Sequence, residues 1–263
     1  MIWKWNEAIT HSHLMKLALL SDIHANIQAL DACLAHARAR GAQQFALLGD
    51  FVGYGADPVA VVHRIQALAG QGALLVKGNH DEMAVSPPAE PTTVGDSTAS
   101  WTHAQLGSSQ LAFLDSLPLV LEHGSMALVH ASLNNPERWR YVTDQRAAAA
   151  SLDAITSPGV RHVFGGHVHE QTLYYRGADA SLMKFVPTPG VAIPVPLHRH
   201  WLATLGSVGQ PRDGNPKAMY ALFDTSCLQL AFQRVAYDHQ SAAAAIRLAG
   251  LPEYLADRLE SGK

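Results

Sequence analysis

Again and again in this chain, a short apolar run stops abruptly in a string of histidine, aspartate, asparagine and glycine. Leu17 to Leu20 gives way to Ser21-Asp22-Ile23-His24, and Phe45 to Leu48 to Gly49-Asp50. Leu74 to Lys77 runs into Gly78-Asn79-His80-Asp81, Met126 to Val129 into His130, and Val163-Phe164 into Gly165-Gly166-His167-Val168-His169. A short apolar run bounded by such breakers reads as a buried strand, and the polar string as the loop at its carboxyl end. In a packed sheet those ends fall along one edge, so residues far apart in sequence can converge in a single crevice.

The intervening segments supply helices. Asn26 is placed to cap a helix with Ile27, Leu30 and Leu34 on one face, and Asp57-Pro58 reads as an N-cap followed by proline at the first helical position. Val59, Val62 and Ile65 continue that second helix until Gly70, so the first third reads βαβαβ. The run from Ser86 to Thr93 is proline-rich and polar and belongs at the surface; with its flanks, residues 84–100 have the position and proline content of a lid behind His80. Helical signals return at Thr98 to Leu106 and Ser109 to Leu114. Later strands are expected at Leu173 to Tyr175, Met183 to Val186, Met219 to Phe223 and Leu228 to Ala236, with no long helices between, so this half reads as antiparallel. A hairpin at Asp224-Thr225-Ser226 joins the last pair, and a helix from Ser241 to Leu248 closes the chain. Residues 1–14, with Trp3, Trp5, His11 and His13, show no period and read as an N-terminal extension to a single domain over 15–263.

Of the 263 residues, 48% are hydrophobic and 16% charged, which suits a folded domain with a large core. A formal charge of -3 leaves no basic excess for a stable nucleic-acid complex, while small phosphate ligands remain compatible with it. The two cysteines, Cys33 and Cys227, fit a cytoplasmic location, and no apolar run approaches the roughly 18 residues of a membrane span.

The residues at the strand ends, Asp22, His24, Asp50, Asn79, His80, His130, His167 and His169, offer oxygen and imidazole nitrogen without sulfur. That mixture suits Mn, Fe, Zn or Ni. Asp-x-His and His-x-His on extended backbone put both side chains on one face, so each pair can address one centre or two adjacent ones. Taken singly the motifs are weak: Gly-Asp is a common turn dipeptide, and His130 leans on the others. Gly78-Asn79-His80-Asp81 carries the most information. Tyr54, between glycines, divides evenly between facing a substrate and packing on backbone. Arg212 either clamps a phosphate or pairs with the adjacent Asp213, the pairing being favoured. His198 and His200 imitate the His-x-His spacing without its glycine-rich context and are assigned to a surface loop; His36, His63, His103, His123, His162 and His239 are assigned structural roles.

The ordered set Asp22-x-His24, Gly49-Asp50-x-x-x-x-Gly55, Gly78-Asn79-His80-Asp81, His130 and Gly166-His167-x-His169 resembles the calcineurin-like metallophosphoesterase superfamily. The stretch from Met15 through Phe223, with Gly53-Tyr54-Gly55 and Gly206-Ser207-Val208-Gly209-Gln210, is similar to a bacterial subgroup of predicted phosphodiesterases. The resemblance implies a mixed α/β fold, a four-layer αββα sandwich of two mixed sheets, with two divalent metal ions at the strand ends, manganese being favoured. It makes Asp22, His24 and His169 ligands of one ion, Asn79, His130 and His167 ligands of the other, and Asp50 the bridge. His80 is then the proton donor to the leaving group and a contact to substrate phosphate together with Asn79, while Asp81 orients its ring. Beyond these, Tyr54 and Arg212 are candidates for substrate binding on the reading of the residues themselves.

The expected activity is hydrolysis of a phosphodiester or a dinucleoside polyphosphate, by in-line attack of a hydroxide bridging the metals. The substrate partner is thus a small phosphate-containing molecule, a nucleotide among the options. A phosphomonoesterase on the same centre is the alternative, and a non-catalytic scaffold of this fold is a third reading, opposed by the presence of every ligand and of His80. The chain departs from the subgroup in Ala131 after His130 and in Thr204-Leu205 before Gly206-Ser207, which bears on the outer pocket. The run Val186 to Pro196, followed by His198-Arg199-His200, is longer than expected and reads as a specificity insert.

Overall fold

In the computed structural model, which describes residues 15–177 and 181–263, the strand β1 (Lys16–Leu20) directs Leu17 and Leu19 to one side and Ala18 and Leu20 to the other. Both faces are therefore apolar, and the strand is stable only with a layer on each side. It pairs in parallel with β2 (Gln44–Leu48), and β2 with β3 (Leu74–Val76). The helices α1 (Ile27–Ala39) and α2 (Pro58–Gly70) make the crossovers, so the expected βαβαβ third is present. Asn26 caps α1, its Oδ1 accepting from the Ala29 N–H at 3.0 Å, and Pro58 opens α2. On the other flank of β1 the sheet continues antiparallel through β11 (Ala218–Asp224), β12 (Gln229–Val235) and β9 (Ala192–Pro194).

The second sheet runs β4 (Val120–His123), β5 (Met126–Val129), β6 (His162–Gly165), β10 (Trp201–Leu205), β7 (Gln171–Arg176) and β8 (Leu182–Phe185). Between the sheets lie Leu17, Leu19, Leu48, Phe164, Leu173, Leu205, Phe223 and Phe232. The outer face of the first sheet packs Leu20, Leu47 and Tyr220 against Leu30, Leu34, Val62 and Ile65 of α1 and α2, and the outer face of the second packs Val163 and Leu202 against Ala148 and Leu152 of α6 (Gln145–Asp153). The result is a mixed α/β fold with two mixed sheets in helix, sheet, sheet, helix order.

Several elements differ from the sequence expectation. The later half is not antiparallel throughout: β10 pairs in parallel with β6, Trp201 opposite His162, and in antiparallel fashion only with β7. Gly78-Asn79-His80-Asp81 is not a loop but the start of α3 (Asn79–Val85). Asp81 at the third helical position accepts the N–H of the extended Gly78 at 2.9 Å, one half of a capping box, since glycine has no side chain to return a bond. The helix expected from Thr98 begins earlier, as α4 (Val94–Gln105), because Thr93 caps it; α5 (Ser108–Asp115) follows. After α7 (His239–Leu248) the chain does not close but makes another helix, α8 (Glu253–Ser261), which packs back on α7 through Leu251, Leu255 and Leu259.

The run Val186 to Pro196 is not beside the candidate site. It carries β9, which completes the edge of the first sheet, and Val195, which is buried between the sheets and accepts from His162 Nε2 through its carbonyl. Residues 1–14, assigned to the extension, lie outside the described residues. No helix among the described residues is long and apolar enough to cross a membrane.

Candidate metal centre

The loops following β1, β2, β5 and β6, together with the first turn of α3, bring Asp22, His24, Asp50, Asn79, His80, His130, His167 and His169 to one place. The backbone there is unusual. Asp22, His24, Asp50, His167 and His169 all adopt positive φ, as do Ala25 and Tyr54 beside them, all between 49° and 67°. Left-handed backbone is costly for non-glycine residues and persists only where surrounding structure enforces it. Its concentration at these positions shows that the fold spends stability on aiming these side chains. Neighbouring segments lock the loops: Ser207 Oγ donates to the Asp22 carbonyl at 2.7 Å, and the His167 N–H donates to the Asp22 carboxylate at 2.9 Å. Gly166 is required by close approach, since a Cβ there would fall 1.8 Å from Ser21 Oγ.

Ligand atoms of Asp22, His24 and His169 lie within 4.8 Å of one another, and so do those of Asp50, His130 and His167. All six residues are buried. Asp50 spans the two groups: its Oδ2 is 3.2 Å from His130 Nε2 and 3.8 Å from His24 Nε2. Asn79 Oδ1 is 3.2 Å from His130 Nε2, on the His130 side. His80 joins His24 and Asp50 in a third group of the same dimensions.

These residues fit divalent cations. The Nδ1 atoms of His24, His130 and His169 face the carbonyls of Val52, Leu48 and Gln210 at 3.4, 2.7 and 2.6 Å. A carbonyl only accepts, so each Nδ1 carries a proton and each ring turns its Nε2 inward, the outer-shell arrangement typical of metal-binding histidines. His24 Nε2 and His169 Nε2 then oppose lone pairs across 3.0 Å. Burial, and after it His169, holds His24 well below its ordinary pKa, while burial and His130 push His167 down to about 3. Burial opposes protonation of His130 too, but the Asp50 carboxylate outweighs it and lifts the ring to about 9. Two buried carboxylates thus call for positive charge where neutral nitrogens also converge.

The calcineurin-like phosphoesterase superfamily domain matches residues 15–227. The chain belongs to that superfamily. An uncharacterized protein of Methanocaldococcus jannaschii is 33% identical over 253 residues, spanning 94% of this chain and 98% of the relative. A metallophosphoesterase from Sphaerobacter thermophilus superposes with a TM-score of 0.83 at 34% identity, covering 95% of this chain and all of its own. A hypothetical protein from Pyrococcus horikoshii shares the fold at a TM-score of 0.73 and 20% identity, over 94% and 98% of the two chains. By class the protein is a metal-dependent phosphoester hydrolase, with the buried histidine and aspartate clusters that such an enzyme needs.

Beside the phosphoesterase centre, the His80 ring stands in a slot between two glycines. A Cβ on Gly53 would sit 2.6 Å from His80 Nδ1, and one on Gly95, in the first turn of α4, 2.9 Å from Cε1. The proline-bearing segment before α4 thus delivers that helix onto His80. Unlike the rings of His24, His130 and His169, this one has no hydrogen bond holding either nitrogen among the described residues. Asp81 does not orient it. The Asp81 carboxylate instead accepts the N–H groups of Phe51, Val52 and Gly78, at 2.8, 3.3 and 2.9 Å, tying the Asp50 loop to α3. Burial, and next the Asp50 carboxylate, push Asp81 up to about 7.

The Tyr54 ring lies 4.7 Å from that of His24 and 4.3 Å from that of His80, and it packs on the α7 and α8 cluster. Arg212 stands over Tyr54 at 5.8 Å and donates to Gln210 Oε1 at 2.9 Å. Its expected partner Asp213 is taken by Arg234. His198 is exposed, as expected of a surface loop, and His162 and His36 bond to Val195 and Tyr220. Sequence reasoning missed Trp139 and Tyr141. The Trp139 ring is 5.9 Å from that of His130, and Tyr141 stacks on His167 at 3.9 Å and 20°. Their one signal was interleaving with arginine, in Arg138-Trp139-Arg140-Tyr141.

Proposed function

We propose that the protein is a phosphodiesterase or dinucleoside polyphosphate hydrolase working with two divalent cations, manganese favoured, one held by Asp22, His24 and His169, the other by Asn79, His130 and His167, with Asp50 shared. The observation that carries this is the pair of buried ligand triads with Asp50 within 3.8 Å of a nitrogen from each. Cations so placed supply Lewis acidity toward phosphoryl oxygens and an activated water nucleophile.

The chain's own residues do the rest. The Nδ1 to carbonyl bonds of His24, His130 and His169 fix which nitrogen faces inward, and Asp50 Oδ1 accepts the His80 N–H at 2.8 Å, coupling the bridging carboxylate to the helix that carries His80. His80 protonates the departing ester oxygen. Its ring nitrogens bind no backbone carbonyl among the described residues and are free to exchange a proton with the ester oxygen. Tyr54 and Arg212 line one flank of the centre, Trp139 and Tyr141 another, which supports a substrate with a substituent on both sides of phosphorus. Residues 15–263 act as one catalytic domain on a small phosphate-bearing substrate in the cytoplasm, a location that the two free thiols, Cys33 and Cys227, suit.

The test is hydrolysis of bis-p-nitrophenyl phosphate, p-nitrophenyl phosphate and diadenosine tetraphosphate by manganese-loaded protein. The diester or the tetraphosphate is the preferred substrate, Asp50→Asn loses manganese and activity together, and His80→Ala keeps manganese while losing rate most where the leaving group is poor. Preference for the monoester assigns a phosphomonoesterase instead; no turnover of any of them by fully loaded protein, or wild-type activity in Asp50→Asn, overturns the reading.

A further inference from the structure

The loop between His130 and α6 has features that its connecting role leaves unexplained. Its 3-10 turn, Pro136–Arg138, is bracketed by Asn135 and Trp139, both left-handed, with φ of 55° and 49°. Strained backbone of this kind gathers where a side chain must be held in one place. Trp139 is anchored twice, by its edge contact with the ring of His130 and by Nε1 donating to Glu82 Oε2 at 2.9 Å, on the same short helix as His80. The next residues are Arg140 and Tyr141, after which Val142 turns into the core.

Tyr141 is 56% exposed. One face of its ring lies on the imidazole of His167, leaving the opposite face open. Arg138 and Arg140 are exposed on either side of Trp139, and neither is paired with a carboxylate among the described residues. Folding gains little from an exposed aromatic face flanked by unpaired guanidinium groups. A ligand with a planar ring and extra negative charge gains from both.

We propose that Arg138, Trp139, Arg140 and Tyr141 form a recognition strap that selects nucleotide substrates, a base stacking on the open face of Tyr141 and phosphates beyond the reacting one pairing with Arg138 and Arg140. The proposal rests on the phosphoesterase reading of the centre and names the substrate class for it. A ring on the outer face of Tyr141 lies one stacking step beyond His167, within the span of the sugar that joins a base to its phosphate. Trp139 sets the height of the strap through Glu82.

Calorimetric titration of manganese-loaded protein with inorganic phosphate, AMP and ADP separates the parts. Wild type binds AMP about tenfold more tightly than phosphate, the order expected of one stacked base, and ADP more tightly still. Tyr141→Ala abolishes the AMP advantage while manganese content and phosphate affinity stay as they were, and Tyr141→Phe keeps it. Arg138→Ala combined with Arg140→Ala removes the ADP increment and spares the AMP one. Equal affinity for phosphate and AMP in wild type overturns the strap, as does a Tyr141→Ala protein that loses phosphate and AMP affinity in equal measure together with manganese, which would make Tyr141 only a support for His167. An adenine oligonucleotide binding a thousandfold more tightly than AMP overturns the assignment to small nucleotides. Because binding is read without turnover, failure of hydrolysis with intact AMP binding would count against the proposed reaction and not against the strap.

Discussion

His24 and His169 point their Nε2 atoms at each other across 3.0 Å, while the Nδ1 of each faces a backbone carbonyl. Neither ring can rotate away without giving up its carbonyl, so the mutual repulsion of the two lone pairs is relieved only by a cation or a proton between them. Removing either ring removes half of that electrostatic demand. His169→Ala is expected to weaken manganese binding about a hundredfold or more, since loss of outer-shell partners alone costs 10 to 100-fold. Metal analysis after dialysis against graded manganese reads the effect, with the exposed His198→Ala as control. Equal manganese retention by both variants contradicts the assignment.

Gly95 supplies a prediction that separates His80 from the metals. Its missing side chain leaves room for the edge of the imidazole, and an added methyl group would press on Cε1 at 2.9 Å. The φ of Gly95 is ordinary, so Gly95→Ala does not strain α4 and acts by displacing the ring. Turnover is expected to fall about tenfold or more, within the 10² to 10⁴-fold that a positioned proton donor contributes, with manganese content unchanged and the loss greatest for poor leaving groups. A uniform loss across leaving groups would detach His80 from proton transfer.

Asp81 is a structural anchor. Replacing it by alanine leaves the buried N–H groups of Phe51, Val52 and Gly78 without their acceptor. Each such orphan costs about 1–3 kcal/mol, so Asp81→Ala is expected to lower stability by about 3 kcal/mol or more in urea unfolding. Because those groups hold the Asp50 loop, manganese affinity falls as well. Wild-type unfolding by Asp81→Ala would show that water replaces the carboxylate.

His162 provides a pH dependence away from the centre. It is fully buried between the sheets, where burial, against the bonds to Val195 and Ser125, holds its pKa below the ordinary value. Above pH 6.5 the ring is neutral in folded and unfolded chains alike and contributes no slope. Below that, the unfolded chain takes up a proton that the folded one refuses, so stability falls with pH until the folded pKa is reached, at up to about 1.4 kcal/mol per pH unit for one proton. His162→Gln, whose amide can still donate to Val195, is expected to flatten the stability curve of the metal-loaded protein between pH 6.5 and 5 relative to wild type. Parallel curves would assign the acid sensitivity elsewhere.

The strands β1, β2, β3, β5 and β6 were legible because each is a run of apolar residues with a polar breaker behind it, a signal confined to a few neighbours. The helix α1 was legible for the same reason, Asn26 lying directly before Ile27, Leu30 and Leu34. β10 was not, because Thr204 interrupts the apolar run from Trp201 to Leu205, and the strand is defined by its partners β6 and β7, which lie elsewhere in the chain. The start of α3 was read as loop because its cap is a glycine, and the signal was the Asp81 carboxylate three residues on. Arg212 and Asp213 are adjacent in sequence and opposite in charge, yet Asp213 belongs to Arg234 on β12.

What the sequence determined by itself was therefore chemical and local: which residues carry oxygen or imidazole nitrogen, and that each follows a strand. That Asp50 would lie between two triads, that His24 would face His169, that Asp81 would serve the backbone and not His80, and that Tyr141 would come to rest on His167 were decided only when the sheets and helices packed. Apart from the Asp81 bond to Gly78, those contacts join residues 26 to 145 positions apart, and the metal-facing side chains are held by left-handed backbone that no local preference favours and that only the surrounding core enforces.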